Sequence, residues 1–153
     1  MISQRFVVFD TSVYVPYYRG EAYRNYVRRE ILRGRVRLCS VVLQELYAGT
    51  RSSQDKRDLD LVERAFYQRG YILTPIHQDW MIAGRAIHRH IRTYGEINPH
   101  DHINDILIIL CASRVGARIV TENKEHFEVW TRQIHRMGLK VKIEGVRRGD
   151  HLN

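Results

Sequence analysis

Three acidic residues border or interrupt apolar segments of the chain. Asp10 ends the run Phe6-Val7-Val8-Phe9 and is followed by Thr11 and Ser12. Glu45 lies in Val41-Val42-Leu43-Gln44-Glu45-Leu46, and Asp105 opens Ile106-Leu107-Ile108-Ile109-Leu110. An ionised carboxylate taken out of water costs several kcal/mol unless something pairs with it. Three of them at core edges point to a shared cation, and hard oxygen donors favour Mg²⁺ or Mn²⁺ over zinc. Each also has a plainer reading. Asp10 would cap a turn through Thr11 and Ser12, Glu45 would be a helix-surface acid, and Asp105 would be the polar start of a buried helix.

The elements that must position these residues follow from periodicity and punctuation. Residues 5–10 read as a short buried strand, and residues 21–32 as a helix stopped by Gly34. Residues 36–40 form a second strand, with Ser40 expected to cap a helix over residues 41–48. An amphipathic helix over residues 51–69 and a short extended piece over 71–75 come next. A long helix over 77–93 carries Trp80, Ala83, Ile87 and Ile91 at three- to four-residue spacing. After a loop over 94–100, residues 101–115 read as a helix apolar almost all round. A strand over 117–121, a helix over 124–136 and a strand over 139–143 complete the chain. Strands alternating with helices predict an α/β fold around a mostly parallel central sheet flanked by helices, a three-layer arrangement. In such sheets ligands bind at the carboxyl ends of the strands, where Asp10 and Thr121 fall.

Composition narrows the partners. The 153 residues suit one domain, expected over residues 1–144, followed by a basic flexible tail over 145–153. With 25 Lys+Arg against 17 Asp+Glu, the formal charge is +8. That balance suits an acidic site only if the substrate is a polyanion. Cys39 and Cys111 lack metal-ligand spacing and read as small core fillers, which fits a reducing cytoplasm. Residues 1–5 lack the apolar stretch of a signal peptide, and the longest apolar run, 106–112, is too short for a membrane span. His88, His90, His100 and His102 lie close in sequence, but no Cys or Glu completes a tetrahedral zinc set; exposed polar residues or phosphate contacts are expected.

Four segments carry a family pattern when read in order: Val7-Val8-Phe9-Asp10-Thr11-Ser12, Ser40-Val41-Val42-Leu43-Gln44-Glu45-Leu46, Asn104-Asp105-Ile106-Leu107-Ile108, and Gly116 through Thr121 to Phe127. The chain closely resembles the PIN-domain ribonucleases, and within them the VapC-type toxins of toxin–antitoxin systems. The resemblance implies a PIN-like fold and metal-dependent endoribonuclease activity. It makes Asp10, Glu45 and Asp105 the catalytic, metal-binding acids, with Mg²⁺ or Mn²⁺ as cofactor. Thr11, Ser12, Thr121 and Asn123 become supporting site residues. It further implies an RNA substrate, a small antitoxin partner and a homodimer, while the cysteines and the missing signal and membrane segments point to a cytoplasmic location. At the second acidic position of the family's last motif this chain has His126, a departure.

Several assignments stay open at this level. Asp101, four residues before Asp105, would share its helix face at about 40° and act as a ligand or hold a metal-bound water. Its other reading is a dipole-favoured acid at a helix start. Tyr14, Tyr17, Arg19 and Lys124 are candidate RNA contacts through stacking and phosphate binding, although packing explains at least one of the tyrosines. A PIN-like module that binds RNA or protein without cleaving it is the alternative function.

Overall fold

The computed structural model describes residues 5–150. The elements run β1 (Val7–Phe9), α1 (Thr11–Gly20), α2 (Arg24–Leu32), β2 (Leu38–Cys39), α3 (Ser40–Ala48), α4 (Ser53–Gln68), β3 (Ile72–Leu73) and α5 (His77–Tyr94). A 3₁₀ turn (Pro99–Asp101), α6 (Ile103–Arg114), β4 (Arg118–Thr121), α7 (Lys124–His135) and β5 (Lys142–Gly145) follow. Residues 1–4, part of the stretch on which the signal-peptide expectation rests, and residues 151–153 of the expected tail lie outside the described residues.

Every strand pairing is parallel. Val8 of β1 faces Ile119 of β4, and Ile119 faces Ile143 of β5. β2 pairs with β3, and a bridge between Val7 and Val36 ties that pair to β1. The strands therefore lie in the order β3, β2, β1, β4, β5. A parallel sheet covered on both faces needs strands that are apolar throughout, as Val7, Val8 and Phe9 are; all three are buried. The expected α/β architecture is the observed one.

α6 forms the centre of the core. Its residues from Ile106 to Ala112 are all buried, each large side chain worth about 1.5–3 kcal/mol. α6 packs against α3, α5, α7 and β4. Trp130 of α7 is flanked by the rings of His90 and His102, with centroids 4.9 and 5.3 Å away. Two of the four clustered histidines thus serve packing, while His88 and His100 are exposed. Cys39 and Cys111 are free and buried, as expected. Gly34 and Gly116, each at φ 65°, turn the chain out of α2 and α6 towards β2 and β4, a conformation costly for side chains bearing Cβ.

The structure corrects several boundaries. Residues 11–20, given no element from sequence, form α1 with Pro16 inside it, where proline normally discourages a helix. α2 starts at Arg24 rather than residue 21, because Glu21 and Tyr23 take left-handed φ values of 59° and 62°. Ser40 is the first residue of α3, not its cap; Cys39 holds that position. α6 starts at Ile103, so Asp101 sits in the preceding 3₁₀ turn. The last strand runs from Lys142 to Gly145 rather than over 139–143.

Beyond β5, Val146 is buried and its N–H donates to the Thr121 carbonyl at 2.9 Å. No helix among the described residues is long and apolar enough to cross a membrane. One local prediction concerns α4, whose first turn is capped by the Ser52 hydroxyl accepting from the Asp55 N–H at 3.0 Å. Ser52→Ala should cost about 1 kcal/mol, read as a lower urea midpoint with an unchanged denaturant slope.

Candidate active site

The carboxyl ends of β1, β2 and β4 lie along one edge of the parallel sheet, and three helices start there. Asp10 follows β1 and is the cap residue of α1, yet its carboxylate does no capping. The first-turn amides of Val13 and Tyr14 bond the Asp10 carbonyl instead, at 3.0 and 3.2 Å. The side chain, only 6% exposed, is held at Oδ2 by two hydroxyls: Ser12 donates at 2.8 Å and Thr121 at 3.0 Å. Each hydroxyl accepts a backbone N–H in turn, Ser12 from Glu122 at 3.0 Å and Thr121 from Asn123 at 2.9 Å. Two amides thus act on one carboxylate through two hydroxyls. The turn-cap explanation of Asp10 does not hold.

Glu45, half-buried in the second turn of α3, is bound at both oxygens. The Thr11 hydroxyl donates to Oε2, and the Asn104 side-chain amide donates to Oε1 at 2.9 Å. Asn104 belongs to α6, so its bond fastens the glutamate to the helix that carries Asp105. Sequence reasoning gave Asn104 no role, although a polar residue beside a core-edge acid was the available signal.

Asp105 is half-buried in the first turn of α6, where the helix dipole favours a carboxylate. Its pKa is nevertheless raised from 3.8 to about 6, by burial first and then by the charges of Asp10 and Glu45, with His126 acting in the opposite sense. Three acids from β1, α3 and α6 therefore share one electrostatic site, and their negative charge exceeds what nearby groups neutralise. Among the described residues, no three His, Cys, Asp or Glu side chains are gathered closely enough to coordinate one ion as they stand. The bonds from Thr11 and Asn104 engage both Glu45 oxygens. Donor type and charge imbalance fit a hard divalent cation.

The other residues singled out from the sequence divide. Thr11, Ser12 and Thr121 sit against the acids, their hydroxyls directed to carboxylates. Asn123 occupies the cap position of α7 at the same edge, without a side-chain cap bond, and is exposed. His126, exposed in the first turn of α7, lies within electrostatic reach of Asp105. Asp101 is exposed in its 3₁₀ turn, so the helix-face argument joining it to Asp105 fails. Tyr14 is a correction as well. Its ring is 3% exposed, packs edge-on against Phe9 at 5.7 Å, and is not available to stack a base. Burial pushes its hydroxyl pKa well up. Tyr17 is half-buried beside the exposed Tyr18, Arg19 donates to the Gly49 carbonyl at 3.0 Å, and Lys124 lies 3.6 Å from Glu128. A cavity of about 150 Å³ opens beside Glu45 between α1, α3 and α4, lined by Tyr18, Arg19, Leu46 and Leu59 among others.

One contact had no sequence signal. Tyr23, the cap residue of α2, donates its hydroxyl to Glu122 Oε1 at 2.5 Å, and Arg148 reaches the same oxygen at 3.0 Å. Glu122 directly follows Thr121, so these bonds brace the loop that supplies the site's backbone donors.

Comparison with known proteins identifies the family and the fold. The PIN-domain family model matches residues 7–130, and the chain belongs to the PIN-domain family, whose members are generally nucleases. In structure it is similar to a DNA-bound VapBC from Salmonella typhimurium, with 22% identity, a TM-score of 0.61, and 90% of this chain and 97% of that one covered. VapBC2 from Rickettsia felis, bound to a DNA fragment from its promoter, gives 18% identity and a TM-score of 0.60 over 93% and 99% of the two chains. VapBC-1 from nontypeable Haemophilus influenzae gives 17% and 0.61 over 92% and 97%. At these identities the likeness is one of fold. Compared by sequence with curated proteins, the chain matches none.

Proposed function

We propose that the protein is a divalent-metal-dependent endoribonuclease acting in the cytoplasm as the toxin of a type II toxin–antitoxin pair. The observation that carries this reading is the gathering of Asp10, Glu45 and Asp105 at one sheet edge, each held in place there by its own hydroxyl or amide donors or helix turn, where burial first and then the charges of Asp10 and Glu45 raise the Asp105 pKa. Negative charge concentrated in a half-buried site stabilises no fold, and a divalent cation would relieve it. Asp10, Glu45 and Asp105 would hold Mg²⁺ or Mn²⁺. When bound, such an ion supplies a water of lowered pKa and offsets charge on the phosphodiester transition state.

The chain's own residues prepare that chemistry. Ser12 and Thr121 fix the Asp10 carboxylate, Thr11 and Asn104 fix Glu45, and Asn123 offers a neutral oxygen at the start of α7. Arg19, Tyr17 and Lys124 stand as RNA contacts. The VapBC assemblies with which the fold is shared support an antitoxin partner. The cavity beside Glu45 gives such a partner a place from which to block the acids. A homodimer belongs to the same reading. The binding-module alternative is favoured by one observation, the engagement of both Glu45 oxygens by Thr11 and Asn104.

The deciding experiment is cleavage of a mixed small-RNA pool with Mg²⁺ or Mn²⁺, beside an EDTA control and Asp10→Ala. Cleavage lost in both controls is the expected result. RNA bound but uncut at every metal concentration would favour the binding module.

A further inference from the structure

Three carboxylates at one site repel a polyanion, so affinity for RNA has to come from surfaces beyond them. Residues 24–37 hold six arginines (Arg24, Arg28, Arg29, Arg33, Arg35 and Arg37) against one acid, Glu30. The structure gives these arginines different tasks. Arg37 lies 4.1 Å from the Phe6 ring centroid and 3.8 Å from that of Tyr71, and donates to the carbonyls of Gly34 and Val36. Arg29, Arg33 and Arg35, joined by Arg118, surround the buried Glu30 at 3.4 to 3.7 Å. Arg24 and Arg28 stay on the solvent side of α2, in one row with Leu32, which is 87% exposed. Arg24 shares an exposed pair with Glu21, and Arg28 has no ion pair among the described residues.

The direction of this row matters as much as its charge. α2 begins at the site: Tyr23 bonds Glu122, and the Glu122 N–H bonds the Ser12 hydroxyl that holds Asp10. It ends near the opposite edge of the sheet, where Glu30 meets Arg118 at the start of β4. The nine residues of α2 span about 14 Å, a few nucleotides of extended strand.

Resting on the nuclease reading above, we infer that the outer face of α2 holds the RNA substrate outside the cleavage site. Arg24 and Arg28 contact its phosphates, and Leu32 supplies an apolar contact for a base. A second copy of this face would set arginine against arginine. One exposed leucine is also too little for the apolar centre of a protein interface. Charge complementarity selects the polyanion.

The test compares Arg24→Gln/Arg28→Gln with a charge-matched control on α5, Arg85→Gln/Arg89→Gln, both in an Asp105→Asn background that leaves RNA intact. For single-stranded RNA of about twenty nucleotides, the α2 variant should bind roughly tenfold more weakly, with a slope of log affinity against log salt shallower by about 1.4. The control should change far less. With Asp105 restored, the α2 variant should show a raised KM and unchanged kcat on the long RNA, and unchanged cleavage of a dinucleotide. Equal losses in both variants, or unaltered binding by the α2 variant, would overturn the inference. So would intact RNA affinity accompanied by lost self-association or lost binding of an acidic peptide. RNA binding that depends on α2 without any wild-type cleavage supports the α2 face and removes the nuclease reading alone. A wild-type chain that binds no RNA removes both.

Discussion

Asp105→Asn should abolish RNA cleavage and, in the metal-free protein at pH 7, make the fold more stable. The two effects share one cause. Asp105 carries its charge against burial and against Asp10 and Glu45, which raises its pKa from 3.8 to about 6. Between those two values the folded chain binds more protons than the unfolded chain, so stability falls as pH rises through that window and stays lowered above it. Asparagine keeps the shape and removes the charge, so at pH 7 it should gain about 1–2 kcal/mol, discounted for the water that still reaches the carboxyl. At pH values below that window wild type and variant should unfold together in urea. Mn²⁺ should then stabilise wild type more than the variant, because only wild type has the full set of charges for it to neutralise. Cleavage should fall by about a thousandfold or more, since a group that acts on transition-state charge is lost. A variant less stable than wild type at pH 7 would show that the metal-free fold already satisfies Asp105. Retained cleavage would remove this residue from the chemistry.

The three acids were legible in the sequence because each interrupts or borders an apolar run, and an acid in that position has few explanations. The sheet was legible for a related reason: short Val- and Ile-rich runs alternating with helical spacing leave little choice but parallel strands. α1 was not. Pro16 argues against a helix, and the signal in its favour, Tyr14 and Tyr18 one turn apart and stacked at 6.1 Å, looks in sequence like a cluster of surface aromatics. The misreading of Tyr14 as an RNA contact follows from the missed helix. Asp101 shows a boundary effect: a helix starting two residues later takes it off the face it was expected to share with Asp105. Apart from Ser12, the donors to Glu45 and Asp10 come from positions far along the chain, and no local spacing announces that Asn104 reaches Glu45 or that Thr121 reaches Asp10.

Charge is equally hard to read along the chain. In sequence the six arginines of residues 24–37 look alike, whereas in the fold Arg118 joins Arg29, Arg33 and Arg35 around a single carboxylate. Glu30 is 2% exposed, and removing its charge would leave Arg29, Arg33 and Arg35 facing one another without their anion, while Arg118 keeps its pair with Glu144 at 2.9 Å. Glu30→Gln should therefore cost about 1–3 kcal/mol, below the range for a fully buried ionic cluster because Arg29, Arg33 and Arg35 keep 30%, 52% and 42% of their side-chain exposure. Such a loss is a large part of the stability of a domain this size. Sulfate should restore a good share of it, because an anion that accepts from guanidinium groups can take the carboxylate's place, and chloride at equal ionic strength should restore less. Adding Arg33→Gln to the variant should cost less than it does in wild type, since one of the uncompensated charges leaves with it. The cluster lies at the amino end of β4 and the acids at the carboxyl end of the same strand, so kcat of the folded fraction should not change. If kcat fell along with stability, the arginine cluster and the catalytic edge would be mechanically coupled, with the α2 cap bond from Tyr23 to Glu122 as the first connection to examine.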